Sequence, residues 1–242
     1  MVKPVGFDQK IKIHHLDYIA REFNNTERKV MYEKLDEYLS GDIRGAKARK
    51  NAITILMKIW FLVPDAIKNL RQRALELWPT LDHRERRVLH YGMTLLAYPF
   101  FKDVAAEMGN LFGLQNEVPS VQIGRKMKGL YGDRRRVEVA TKAVLMSLKA
   151  WGLIELGKGN VYTLLEKQEV TNTALKLWLA EVVLRVSGYH YLPLEMIPAA
   201  QVVFPFRFSL NIREVETGNF VINRQGLDMQ LVGLVGGVRE YA

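Results

Sequence analysis

The chain has 242 residues, 35 Lys and Arg against 26 Asp and Glu, five His and no Cys, which gives a formal charge of +9 with His neutral. A composition 48% hydrophobic and 10% aromatic buries a substantial core and excludes global disorder. The lack of Cys excludes disulfides, thiolate metal sites and a cysteine nucleophile.

The charge excess favours a polyanionic partner, nucleic acid ahead of an anionic membrane surface. Residues 1–12 hold no apolar run of the kind a signal peptide needs. The most apolar stretch, residues 53–63, is about half the roughly 20 residues of a spanning helix, and Lys58 interrupts it. A cytoplasmic protein without a membrane partner is expected.

In chain order, Asn25 and Thr26 are placed to cap a helix over residues 27–40, which Gly41 stops. A second helix is predicted over residues 43–62, with Ile53, Leu56, Met57 and Trp60 on one face and Val63-Pro64 as its break. Asp65 caps a third, over residues 66–78, which Pro79 ends. Together they make an antiparallel helical unit over residues 1–79. The pattern restarts at Thr80, with helices over residues 81–96 and 101–112 parted by Tyr98-Pro99. A short helix opens at Pro119 or Ser120 and runs to Leu130; Gly132-Asp133 is a turn with a capping residue, and a long helix covers residues 134–151.

The hydrophobic period then changes from helical to alternating. Residues 152–156 read as a strand, Gly157-Lys158-Gly159-Asn160 as a turn and residues 161–164 as the return strand. Residues 171–187 form a helix with Leu175, Trp178, Leu179 and Val182 in register. In the remainder, residues 204–213 and 219–223 are expected to form a hairpin around Glu216-Thr217-Gly218, followed by a strand or helix over residues 227–235.

The segment Val121 to Leu130, the turn Tyr131-Gly132-Asp133, the helix from Arg134 to Trp151 and the hairpin from Gly152 to Leu164 resemble the winged-helix variant of the helix-turn-helix. The phrase Val144-Leu145-Met146-Ser147-Leu148-Lys149-Ala150-Trp151-Gly152-Leu153-Ile154 is the most specific part of that likeness. It implies a mainly α fold with a central winged helix-turn-helix, small β hairpins in the wing and an α+β tail. Three parts follow: a helical unit over residues 1–79, a winged-helix domain over 80–168, and a helix plus β-hairpin region over 169–242.

At about 100° per residue, Val137, Ala140, Val144, Leu148 and Trp151 fall on one arc of the long helix. Arg135, Glu138, Lys142 and Lys149 fall on another. A recognition helix offers its N-terminal half to base edges, so Arg135 and Lys142 are the groove candidates. Arg125, Lys126, Lys128, Arg134, Arg135, Arg136, Lys142 and Lys149 face only Asp133 and Glu138 in the same window, with Lys158 and Asn160 at the wing tip. This set is expected to contact double-stranded DNA, with Arg134, Arg136, Lys149 and Lys158 on phosphates. The alternative is a solvated basic face on a protein-docking module. Arg44, Lys47, Asn51, Thr54 and Lys58 form a second basic stripe on the helix over 43–62, a possible extension of the same surface or a plain solvated one.

Other constellations carry less. Gly152 to Lys158 has GxxxxGK spacing, but Gly159 stands where a Ser or Thr is needed, and a helix precedes the motif where a strand should. Successive side chains point apart, so His14 and His15 are not expected to chelate an ion alone. His83 beside Asp82 reads as the first turn of a helix, and His90 and His190 as boundary packing. Phe204, Phe206 and Phe208 alternate along an expected strand, best read as a core face against the helix of Leu175 and Trp178. No catalytic residues, metal or cofactor are expected.

The helical N-terminus, Tyr98-Pro99-Phe100-Phe101-Lys102-Asp103-Val104 and Tyr131-Gly132-Asp133-Arg134 together resemble the BrxA-type accessory proteins of BREX phage-defence islands. That likeness implies a non-catalytic DNA-binding component of a multi-protein antiviral system. The main alternative is an adaptor whose winged helix docks a larger assembly.

Overall fold

The computed structural model of the chain describes residues 3–225 and 229–237, with the side chain of Asn25 excepted. The capping role expected of Asn25 and the residues from Gly226 to Asp228 therefore lie outside the described ones. Among the described residues the fold is mainly helical with three small sheets. No helix among the described residues is long and apolar enough to cross a membrane.

The first helices are α1 (Ile13–Glu22), α2 (Arg28–Ser40), α3 (Ala46–Leu56) and α4 (Lys68–Leu77). The N-cap of α2 is Glu27, not Thr26, whose hydroxyl is taken instead by the Lys34 ammonium at 3.3 Å. Ahead of the Val63-Pro64 break, α3 widens into one π turn at Met57–Phe61, closed by the Leu62 amide on the Met57 carbonyl at 2.7 Å. Asp65 does not cap α4. It opens a separate 3₁₀ turn, and its carboxylate pairs with Lys68 at 2.6 Å.

Next come α5 (His83–Ala97) and α6 (Pro99–Phe112). Asp82 caps α5 by accepting the amides of Arg84 and Glu85, both at 2.8 Å, and Glu85 returns a bond to the Asp82 amide at 3.2 Å. Pro99 occupies the first turn of α6, where its missing N–H costs nothing. The chain continues through β1 (Glu117–Pro119), α7 (Ser120–Tyr131), α8 (Arg135–Ala150), β2 (Ile154–Leu156) and β3 (Val161–Leu164). β3 lies between β1 and β2, antiparallel to both, with Val118 opposite Tyr162 and Glu155 opposite Thr163. The three-residue β1 is too short to leave a periodicity in the sequence.

After β4 (Gln168–Glu169), α9 (Thr173–Ser187) packs on α4 and α5. Gly92 in the middle of α5 makes room for it: a Cβ there would lie 2.6 Å from the Trp178 ring. Two buried charges on α9 are paired, Glu181 with Arg73 and Arg185, and Lys176 with Glu214. Buried side chains from residues 5 to 234 form a single core that crosses the expected divisions at 79 and 168.

The C-terminal hairpin expected over residues 204–223 is not formed. β5 (Tyr191–Pro193) leads to β6 (Phe206–Arg207), which pairs parallel with β4, and α10 (Ile212–Glu216) follows. Asn211 caps α10 by accepting the Glu214 amide at 3.0 Å while Glu214 accepts the Asn211 amide at 3.1 Å. This Asn-x-x-Glu box overrides the strand pattern. The hairpin lies later, between β7 (Phe220–Gln225) and β8 (Met229–Leu234), with β5 on the far side of β8. Phe204, Phe206 and Phe208 are buried as expected. Phe204 and Phe206 meet α6 and α5 through Phe112 and Tyr91, within the core that also holds Leu175 and Trp178.

Candidate nucleic-acid interface

The candidate face is built on α7, α8 and the β2–β3 hairpin. Helix α7 buries Ile123, Met127 and Tyr131; α8 buries Val137, Ala140, Thr141, Val144, Leu145 and Leu148. Gly132, at φ 86°, turns the chain between them, a conformation other residues adopt at a cost. Asp133 does not cap α8. Arg134 holds the N-cap position, and Asp133 pairs with Lys128. At the other end Gly152 has φ 68°, its amide bonds the Lys149 carbonyl at 2.9 Å, and the Leu153 amide reaches back to Leu148 at 3.1 Å. This glycine cap sends Leu153 into the core and aims β2 and β3 outward.

Arg135, Glu138, Lys142 and Lys149 are all exposed on the outer side of α8, joined by Val139. A groove of about 580 Å³ runs between α7, α8 and the hairpin. Arg125, Lys128, Lys142 and Asn160 line its sides, and Val121, Leu145, Met146, Leu156 and Tyr162 supply apolar floor and wall. Lys158 and Asn160 are exposed at the hairpin tip, where Gly159 and Asn160 both take positive φ.

The cations of this face divide into three groups. Lys128 bonds Asp133 at 2.8 Å and Glu138 at 2.7 Å; these bonds raise its pKa and hold the Glu138 carboxyl below its ordinary value. Arg135 lies 3.5 Å from the same Glu138, and Lys126 lies 3.7 Å from Glu107 on α6, an acid outside the local sequence window. Arg134 turns inward, with Nη2 donating to the carbonyls of Lys3 at 3.2 Å and Tyr131 at 2.8 Å, so it is a joint of the fold and not a free phosphate ligand. Among the described residues, Arg125, Arg136, Lys142, Lys149 and Lys158 are exposed and make no ion pair.

On the second stripe, Arg44, Lys47, Thr54 and Lys58 are exposed and Asn51 is half-buried. Lys58 rests over the Tyr98 ring at 4.6 Å, and partial burial draws its pKa down. Gly6 approaches the same ring, and Lys3 stands 5.5 Å over Tyr131. The N-terminal segment thus joins the α3 end of the stripe to the start of α8, a link no local pattern signals.

A second convergence contradicts the sequence expectation. His14 and His15 do not point apart: their Nε2 atoms lie 3.0 Å and 2.8 Å from the same oxygen, Oδ2 of Asp42. Among the described residues, His14, His15 and Asp42 form a cluster able to hold a metal ion. His83 stays in the first turn of α5, and His90 is buried with its Nε2 on Asp17 at 2.9 Å.

Comparison with protein-family models, with curated proteins and with solved structures gives no match to this chain.

Proposed function

We propose that residues 99–164 form a winged helix that binds duplex DNA without catalysing a reaction. In this reading α8 enters the major groove through Arg135 and Lys142, and Arg125, Arg136, Lys149 and Lys158 meet the phosphates on either side. The observation that carries it is the coincidence of one exposed helix face with five cations that no acid among the described residues engages. A solvated basic surface normally interleaves its charges, as Lys128, Asp133 and Glu138 do here. The order of α6, β1, α7, α8, β2 and β3, with β3 central, supports the same reading. The likeness to phage-defence accessory proteins supports a role as a regulator or accessory subunit.

The test is fluorescence anisotropy of a random-sequence duplex at several salt concentrations. Neutralising about four to eight phosphates gives a log–log slope of roughly −4 to −7. Absence of binding at low salt would reject the reading.

One observation favours a second reading, a protein-docking adaptor. The groove holds apolar side chains among its cations, with Val121 58% exposed, so an acidic amphipathic segment matches its chemistry. In that case Val121→Asp abolishes partner capture, and the capture weakens with salt less steeply than DNA binding would, because part of it is apolar.

A further inference from the structure

At the corner where α1 begins and α2 ends, three donor atoms converge away from the basic groove. His14 Nε2, His15 Nε2 and an Asp42 carboxylate oxygen all lie within 4.8 Å of one another. The two ring nitrogens stand 3.0 Å and 2.8 Å from Asp42 Oδ2, and the rings meet edge-on with centroids 4.4 Å apart. Donors around a four-coordinate ion at about 2.0–2.2 Å are separated by roughly 3.3 Å, so a small opening of this cluster seats one.

The surroundings of the cluster also fit. The His14 Nδ1 is 3.0 Å from the Tyr38 hydroxyl, the outer-shell bond that orients a ligating imidazole. Tyr38 is itself fixed, stacked on Tyr18 at 3.9 Å with the planes 11° apart. Lys12 occupies the other Asp42 oxygen, Oδ1, at 2.7 Å, leaving Oδ2 to the imidazoles.

We propose that His14, His15 and Asp42 form a three-ligand site for a divalent transition-metal ion of the zinc type, with solvent completing the coordination. Two imidazoles and one carboxylate suit Zn²⁺ and its first-row neighbours, whereas Mg²⁺ and Ca²⁺ take oxygen ligands. On binding, each imidazole shifts its proton from Nε2 to Nδ1. The Tyr38 oxygen accepts the one on His14. The one on His15 displaces the Lys12 amide, which lies 3.2 Å from that Nδ1. The bound ion ties α1 to the turn after α2. The nearby Lys12 ammonium opposes it and weakens the site.

The test is calorimetric titration of chelator-treated full-length protein with Zn²⁺, with Co²⁺ absorption as an independent readout. One equivalent is expected, with a visible Co²⁺ ligand-field band and a rise in Tm. Asp42→Asn and His14→Gln each weaken binding by about 100-fold or more, Tyr38→Phe by about 10–100-fold, and Lys12→Met tightens it. His14 is 46% exposed, so His14→Gln retains the fold even where the Asp42 variant does not. Either no uptake of Zn²⁺, or uptake unchanged in His14→Gln and Asp42→Asn, overturns the proposal.

Discussion

The indole N–H of Trp151 donates to the carbonyl of Ile11 at 2.9 Å across 140 positions of sequence. One turn earlier on α8, Ser147 accepts the Ile11 amide, also at 2.9 Å, while its hydroxyl donates to Ala143. Ile11 is fully buried and belongs to no helix or strand, so these two side chains satisfy both of its backbone polar groups. The N-terminal segment is thereby fastened to the last turn of the helix that carries the candidate DNA face.

Trp151→Phe keeps most of the ring volume but strands the Ile11 carbonyl. The expected cost is about 1–3 kcal/mol, the penalty for a buried group left without its partner. Trp151→Ala adds a cavity and costs about 3–5 kcal/mol. Urea unfolding of both variants checks the order; a neutral Trp151→Phe would mean that solvent reaches the carbonyl.

Glycine inside a helix usually costs about 0.5–1 kcal/mol relative to Ala. At Gly109 of α6 that sign reverses, because a Cβ would lie 2.1 Å from the Gln201 carbonyl oxygen, a backbone atom that cannot swing aside. Gly129 of α7 has no atom within 4 Å of the same position. Gly109→Ala is therefore expected to lower Tm by several degrees and Gly129→Ala to raise it slightly. Thermal melts of the pair, measured side by side, separate close packing from helix propensity.

His90 gives the fold an acid sensitivity. It is fully buried, burial lowers its pKa, and its Nδ1 has no hydrogen-bond partner among the described residues. Asp17 accepts from its Nε2 and is itself held below the ordinary carboxylate value: burial raises it, and the His90 hydrogen bond with the nearby Arg86 charge outweighs that. Above pH 6.5 the imidazole is neutral in both folded and unfolded chains. Below it the unfolded chain takes up a proton that the folded chain refuses, so stability falls as pH drops from about 6.5, by at most about 1.4 kcal/mol per pH unit for one proton. Urea unfolding between pH 7.5 and 5.5, in a chelator that keeps the His14–Asp42 corner metal-free, is expected to show this decline, and His90→Gln to lessen it, the remainder coming from His15, whose pKa burial also lowers.

What the sequence made legible follows the range of the forces involved. The α8 helix, its glycine cap and the β2–β3 hairpin are set by neighbours a few residues apart, and they stand where periodicity places them. The burial of Val137, Ala140, Val144, Leu148 and Trp151 against the exposure of Arg135, Lys142 and Lys149 follows from helical spacing alone. Competition between local signals explains the C-terminal error, where alternating aromatics suggested a strand and the Asn211–Glu214 box closed a helix. Long-range partners were invisible: Glu107 on Lys126, Lys3 on Arg134 and Asp42 between the two histidines come from other elements. Candidate residues were therefore named by type, and their free or engaged state emerged only from the packing.

That distinction gives the sharpest test of the DNA reading. Glu138 is the acid at the centre of the face, bonded to Lys128 and close to Arg135. Glu138→Gln removes its charge and frees Arg135, while Lys128 stays paired with Asp133, so binding to a random duplex tightens and the salt slope steepens by about one. Arg136→Ala with Lys149→Ala removes two free phosphate cations and makes the slope shallower by about two, with Tm unchanged. Arg134→Ala behaves oppositely: Tm falls, because the carbonyls of Lys3 and Tyr131 lose their donor, while the slope stays as in the parent. An Arg134 variant that changed the slope but not Tm would place that guanidinium on the phosphates and reverse the assignment drawn from its hydrogen bonds.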